Sequence, residues 1–310
     1  MILNAPDLWR QAYCNIYDNK GGMTPGIDGL TIDGYSDERA AHLIVLLREN
    51  RYVPPPVVRA YIPKPNGKQR PLGKSTTNDK LVQEVWRMIL ESIYEPVFKE
   101  SSHGFRIQRS CHTALKDIRY WTGTKWFIEF DIEGFFDNID HNILMELLEK
   151  KIDDIKFLNV IRKMLKAGYV EDWRYYNTYS GTPQGGILSP MLANIYLHEL
   201  DCYVEKLISD GSKGKERSRN PEYIRTTLRA SRLNKKIEQE NDPEVRGQLL
   251  DQKQVLQRHT LEIPSKDQHD PKYRRLKYCR YADDFVLGAI LGCLKVRSRS
   301  QFSCPGFRPR

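Results

Sequence analysis

Apolar positions recur at helical spacing early in the chain. Leu8, Ala12 and Ile16 follow Pro6-Asp7, with Trp9, Tyr13 and Tyr17 beside them, so a helix opens there and Gly21-Gly22 ends it. Ser36 is placed to cap a second helix bearing Ala40, Leu43, Ile44 and Leu47. Pro54-Pro55-Pro56 breaks the pattern. Residues 57–62 read as a strand, Pro65-Asn66-Gly67 as a turn and 69–72 as the returning strand of a β-hairpin. A long amphipathic helix is expected over 76–94, where Leu81, Val85, Met88 and Ile89 share a face. A shorter helix is expected over 111–121, a strand over 127–132 and a helix over 141–150. Residues 175–178 read as a strand ahead of a Gly-rich turn, and 188–208 as a helix that begins near Ser189-Pro190. This alternation predicts an α/β (α+β) fold.

Between 209 and 277, Lys, Arg and Glu dominate. Helical apolar spacing survives at Leu228, Leu233 and Ile237, and resumes at Leu249 and Leu256 after Asp242-Pro243. A charged helical hairpin follows, either a solvated excursion or an arm that touches RNA. Past residue 290, Lys295, Arg297, Arg299, Arg308 and Arg310 stand among Ser, Gln, Pro and Gly, which predicts disorder.

Composition sharpens the picture. With 310 residues and 40% hydrophobic content there is material for a sizeable core. The net charge of +9 and a mean hydropathy of −0.61 describe a basic, heavily charged surface that suits a polyanionic partner. The 6 cysteines form no C-x-x-C pair and read as thiols of a reducing compartment. No basic-then-apolar leader precedes residue 20, and the apolar stretch 285–294 is too short to span a bilayer. A soluble intracellular protein without a membrane partner is expected.

Candidate chemistry begins with acids in apolar strands. Tyr281-Ala282-Asp283-Asp284 lies inside the apolar run 278–287, and Asp131 inside Trp126-Phe127-Ile128-Glu129-Phe130-Asp131-Ile132. A carboxylate there loses hydration unless it pairs or holds a metal. Two such strand ends meeting around hard cations suggest two-metal phosphoryl transfer, with a solvated acidic turn as the alternative. Lys64 and Arg70 flank the hairpin turn and can converge on a triphosphate, or simply decorate an exposed hairpin. In 180–190 the glycines permit close backbone approach, Gln184 offers donor and acceptor, and the following helix points its positive end at the loop, which favours phosphate. A plain helix-entry loop is the alternative. Phe135-Phe136 can face a sugar and reject a 2′-hydroxyl, or belong to the core.

The order of these segments resembles reverse transcriptases, specifically those encoded by group II introns. Phe130-Asp131-Ile132-Glu133-Gly134-Phe135-Phe136-Asp137-Asn138-Ile139 is similar to motif A of that family. Thr182-Pro183-Gln184-Gly185-Gly186 with Leu188-Ser189-Pro190 resembles motif B, and Tyr281-Ala282-Asp283-Asp284 resembles motif C. Residues 62–72 resemble the fingers hairpin, and His103-Gly104-Phe105-Arg106 and Thr24-Pro25-Gly26-Ile27-Asp28-Gly29 two further family blocks. The charged hairpin before motif C is familiar there too.

The resemblance implies right-hand polymerase fingers and palm, with a small antiparallel palm sheet packed on helices. It divides the chain into fingers with an N-terminal extension (1–122), palm (123–208), charged helical insertion (209–277), motif C hairpin (278–290) and basic tail (291–310). Asp131 and Asp283 would bind two Mg²⁺ ions, with Asp284 close by and the Ile132 carbonyl assisting. Lys64 and Arg70 would grip the incoming dNTP, Phe136 would gate against ribonucleotides and Gln184 would line the nucleotide pocket. An intron RNA template and a DNA primer are the implied partners, in a bacterial cytoplasm or an organelle, with a homodimer left open. Family members also act as maturases. The family's second palm hairpin, thumb and maturase region have no counterpart here, so a thumbless chain is expected. Two alternatives to the polymerase remain: a non-catalytic RNA-binding module that assists splicing, and a decayed fragment with neither activity.

Overall fold

The computed structural model describes residues 2–19, 23, 25, 27–63, 67, 69–183 and 185–291. Lys64, Gln184, the Pro65-Asn66 turn, the Gly21-Gly22 stop and the basic tail lie outside them.

Helices start where the sequence offers a cap. After α1 (Pro6–Tyr17), Ser36 opens α2 (Asp37–Arg48) by accepting the Arg39 N–H at 3.2 Å. Strands β1 (Val57–Pro63) and β2 (Gln69–Lys74) form the expected hairpin, with Ile62 opposite Arg70. Thr76 caps α3 (Thr77–Tyr94), which is buried on most of its circumference. Next come α4 (Cys111–Arg119), β3 (Trp126–Asp131) and the short α5 (Phe135–Asn138). Asp140 caps α6 (His141–Glu149), and Asp154 caps α7 (Ile155–Lys166), a helix the periodicity reading passed over. β4 (Tyr169–Glu171) and β5 (Arg174–Tyr176) precede α8 (Ser189–Gly211). The charged segment folds into α9 (Pro221–Gln239) and α10 (Pro243–Glu262), capped by Asn220 and Asp242. β6 (Arg274–Tyr281) and β7 (Asp284–Leu291) close the described chain.

The chain divides into two compact units. The first comprises 1–118, 130–204 and 279–285, and it holds the main core. There Trp86 of α3 stacks on Phe157 of α7, centroids 4.9 Å apart, and its Nε1 donates to the Phe157 carbonyl at 3.1 Å. Leu81, Val85, Leu144, Leu148, Ile161 and Leu165 fill the space around them. The hairpin extends into a sheet of order β2-β1-β4-β5, with β4 parallel to β1. In the second unit, whose described residues are 119–129, 205–278 and 286–291, α9 and α10 pack as a hairpin. The Asp270 carboxylate stitches its base, accepting the Ser218 and Lys272 N–H groups at 2.7 and 2.8 Å. A second sheet has the order β3-β7-β6. Trp126, Phe127 and Ile128 point to alternate faces of the edge strand β3 and are all exposed, so neither face of that strand is covered there. Among the described residues no helix is long and apolar enough to cross a membrane.

Asp79 is one of the buried acids of the first unit. It is 2% exposed, accepts from the Tyr52 hydroxyl and pairs reciprocally with Thr76, whose Oγ1 donates to it at 3.0 Å. Burial pushes its carboxyl up to about 6 from 3.8, against the pull of those hydrogen bonds. An acid that holds its proton more tightly folded than unfolded stabilises the fold at low pH. That contribution fades as pH rises from about 4 through 6 and amounts to about 3 kcal/mol. Urea midpoints measured from about pH 4 to about pH 7 should fall less steeply for Asp79→Asn than for the parent. Equal slopes would remove Asp79 as their source.

Candidate functional site

β3 ends at Asp131, and β6 turns into β7 through Ala282 and Asp283, leaving Asp284 as the first residue of β7. Because β7 is the neighbour of β3, the end of one strand meets the start of the other. Phe130 and Phe285, each adjacent in sequence to one of these acids, stack with centroids 4.7 Å apart and planes 9° from parallel. The apolar setting of both segments suggests buried carboxylates. Instead, Asp131 and Asp284 are exposed and Asp283 is half-buried, while Ala282 and Phe285 are the buried neighbours. The acids stand where the chain leaves the sheet, so only their flanks are covered.

Asp284 still senses the other two charges. Desolvation, and then the charges of Asp283 and Asp131, raise the Asp284 carboxyl above its ordinary value. Among the described residues no group of three or more His, Cys, Asp or Glu side chains forms a ready-made metal cage. The donor chemistry nevertheless suits a hard divalent cation, which takes carboxylate oxygens and supplies the counter-charge these groups lack. The Ile132 carbonyl accepts the Phe135 N–H at 3.3 Å and keeps a second lone pair.

Backbone bonds tie the Phe136 segment to loop 180–182. The Gly181 N–H donates to the Ile139 carbonyl and the Thr182 N–H to the Phe136 carbonyl, both at 2.8 Å. Ser180 Oγ donates to the Asp137 carbonyl at 3.0 Å, and His141 Nε2 to the Gly181 carbonyl at 2.6 Å. Gly181 has φ +82°, and a Cβ there would stand 2.7 Å from the Phe136 carbonyl oxygen, so the loop needs glycine on two counts. The Phe136 ring meets Phe105 and Phe135 edge-on, at 6.5 and 5.5 Å. Phe105 therefore has a place beside Phe136 that reading the sequence did not assign it.

Arg70 is exposed on β2. A cavity of about 320 Å³ lies alongside, lined by Leu72, Gly73, Tyr169, Ser180, Thr182 and their neighbours. Ahead of α8, side chains tie the loop to its surroundings: Ser189 is buried, its Oγ donates to the Pro183 carbonyl at 2.8 Å, and the Leu188 N–H donates to Gln83 Oε1 of α3 at 3.4 Å.

Comparison with known proteins adds the following. The family model described as "Reverse transcriptase (RNA-dependent DNA polymerase)" matches residues 62–214. The chain is 49% identical over 284 residues to "Group II intron-encoded protein LtrA" of Lactococcus lactis subsp. cremoris, covering 91% of this chain and 47% of that protein. It is 38% identical over 289 residues to "Uncharacterized 91 kDa protein in cob intron" of Schizosaccharomyces pombe, covering 91% of this chain and 34% of that one. With "Protein YkfC" of Escherichia coli K12 the identity is 32% over 295 residues, covering 92% of this chain and 68% of the relative. The chain spans about half the length of LtrA.

The stitched loop yields a stability test. Gly181→Ala should lower unfolding free energy by about 2 kcal/mol, the usual cost of a strained left-handed residue. Ser180→Ala, which removes one exposed bond, should cost less than about 1 kcal/mol. Chemical denaturation measures both, and a Gly181→Ala effect no larger than that of Ser180→Ala would show that the loop yields.

Proposed function

The chain belongs to the reverse transcriptases encoded by group II introns, and on that premise we propose that it is an RNA-directed DNA polymerase that also binds its intron RNA. The observation that carries this reading is the adjacency of β3 and β7, where Phe130 stacks on Phe285 at 4.7 Å and so brings together the strand end at Asp131 and the turn at Asp283-Asp284, acids from two distant segments. Asp131 and Asp283 hold magnesium, with Asp284 beside them and the Ile132 carbonyl as a further donor. The bound ions supply charge neutralisation at the α-phosphate and activation of the primer 3′-hydroxyl. Lys64 and Arg70 bind the triphosphate of the incoming dNTP. Phe136, held by its own backbone bonds to loop 180–182, packs against the sugar and leaves no room for a 2′-hydroxyl. Gln184 lines the nucleotide pocket.

RNA binding has separate support on α9. Arg225, Arg229, Arg232 and Lys236 recur every three or four residues and are exposed. Among the described residues none of them forms an ion pair. Such a stripe follows a phosphate backbone along about 16 Å of helix. It is also what favours the second reading, a module that binds intron RNA without copying it.

Two experiments separate these readings. Asp283→Ala should abolish Mg²⁺-dependent primer extension while leaving the circular dichroism spectrum unchanged; extension that survives the change refutes the polymerase. Replacing Arg225, Arg229 and Arg232 by Glu should lower the slope of log affinity for intron RNA against log salt by about 2 to 3, one increment per lost phosphate contact. An unchanged slope removes α9 from the interface. RNA binding in a parent chain that never extends a primer would select the non-catalytic reading.

A further inference from the structure

We propose that Arg280 is a positioning residue for the acidic turn: its buried guanidinium holds the Ala282 carbonyl in place and thereby sets where Asp283 and Asp284 stand. The proposal rests on the metal-binding reading of those acids.

Arg280 is 0% exposed, and so is its partner Asp201. A guanidinium has five N–H donors in a fixed fork, and here each has an acceptor. Nε donates to Asp201 Oδ1 at 2.8 Å, and Nη2 to Asp201 Oδ2 and Ser102 Oγ, both at 2.7 Å. Nη1 donates to Asn194 Oδ1 at 3.1 Å and to the Ala282 carbonyl at 2.8 Å. Asn194 and Asp201 lie two turns apart on α8, so one rigid helix face anchors the fork.

Segment 101–104 completes the clamp from the other side. The Arg280 N–H donates to the Ser101 carbonyl at 2.8 Å, and the Arg280 carbonyl accepts the His103 N–H at 2.9 Å. Asn194 Nδ2 donates to the Gly104 carbonyl at 2.8 Å. A Cβ on Gly104 would lie 2.3 Å from the Ala282 nitrogen, so backbone presses on backbone at the turn. Ala282 itself has φ +57°, a left-handed conformation that a non-glycine residue keeps only where its surroundings dictate it. The fork is the contact that grips its carbonyl. Lysine has three donors on a flexible stem and cannot reproduce five directed bonds.

The test uses the full chain with Arg280→Lys and Asn194→Ala. Mn²⁺ titration followed by electron paramagnetic resonance reads the acids, and hydrogen exchange of the peptide covering 278–287 reads the turn. Exchange in α1 serves as the remote control. Arg280→Lys should weaken Mn²⁺ binding at least tenfold and speed exchange in 278–287 at least tenfold, with α1 unchanged. Asn194→Ala, which removes one of five acceptors, should move both in the same direction by less. Should Arg280→Lys fail to fold, Asn194→Ala decides on the same readouts. Variants within twofold of the parent on both measurements overturn the proposal, as does acceleration spread equally over α1. If the parent binds no Mn²⁺, or binds it as well after Asp283→Ala, the metal reading fails while exchange still judges the clamp.

Discussion

Like charges repel, and the first unit is arranged around keeping three of them together. Neighbouring strands β3 and β7 bring one acid from a strand end next to another at a strand start. Nothing in the carboxylates favours that meeting; it raises the proton affinity of Asp284. The opposing force comes from beside and beneath, where Phe130 stacks on Phe285 and both segments rest on a unit whose core includes Trp86, Leu144 and Ile161. Hydrophobic burial and strand pairing thus hold in place a charge arrangement that is unfavourable by itself, a pattern common at sites that await a cation.

Rigidity around that arrangement is largely a backbone property. Loop 180–182 is tied to 136–139 by main-chain bonds, and segment 101–104 lies against the turn at 280–282 in the same manner. Main-chain contacts demand small residues, which is why Gly181 and Gly104 sit where a Cβ would meet a neighbouring backbone atom at 2.7 and 2.3 Å. Phe136 and the acids are therefore carried on segments that have little freedom to drift. For the proposed nucleotidyl transfer this matters, because misplacing a reacting group by about 1 Å can cost about a hundredfold in rate.

Much of this was legible in the sequence because local physics dictated it. Ser36 and Thr76 each announced a helix start, Asp242-Pro243 marked the break between two charged helices, and α1, α2, α3 and the α9–α10 hairpin follow within a few residues of the expected bounds. The acids, the Gly-rich loop and the first hairpin were found as strings. What escaped depends on tertiary context. The β4–β5 turn uses Asp172 and Trp173 at φ 49° and 62°, where the usual sequence signal is Asn-Gly. α7, by contrast, carries a local signal, with Asp154 as cap and Phe157, Leu158, Ile161, Met164 and Leu165 on one face. The exposure of Asp131 follows from where β3 leaves its sheet, and the bond from Leu188 N–H to Gln83 joins residues 105 positions apart, so neither is written in local sequence. The roles of Asn194 and Asp201 were hidden for the same reason: two polar residues on an apolar helix look like solvated positions until Arg280 arrives between them.

The Arg280–Asp201 pair also bears on what kind of work a buried charge does. Taking two ions out of water costs several kcal/mol each, and well-packed apolar replacements are often as stable or more so. Stability alone is therefore a poor reason for an ion pair with both members at 0% exposure. Leucine and valine could fill the volume but could not reach the Ala282 carbonyl, satisfy Asn194 or fix the spacing between α8 and the turn. Direction, rather than net energy, is what the fork contributes. A dispersive contact has no preferred direction and tolerates a lateral slide, whereas five hydrogen bonds from one planar group constrain both rotation and shift. At the turn beside this guanidinium, such a tolerance would move Asp283 and Asp284, whose proximity raises the proton affinity of Asp284.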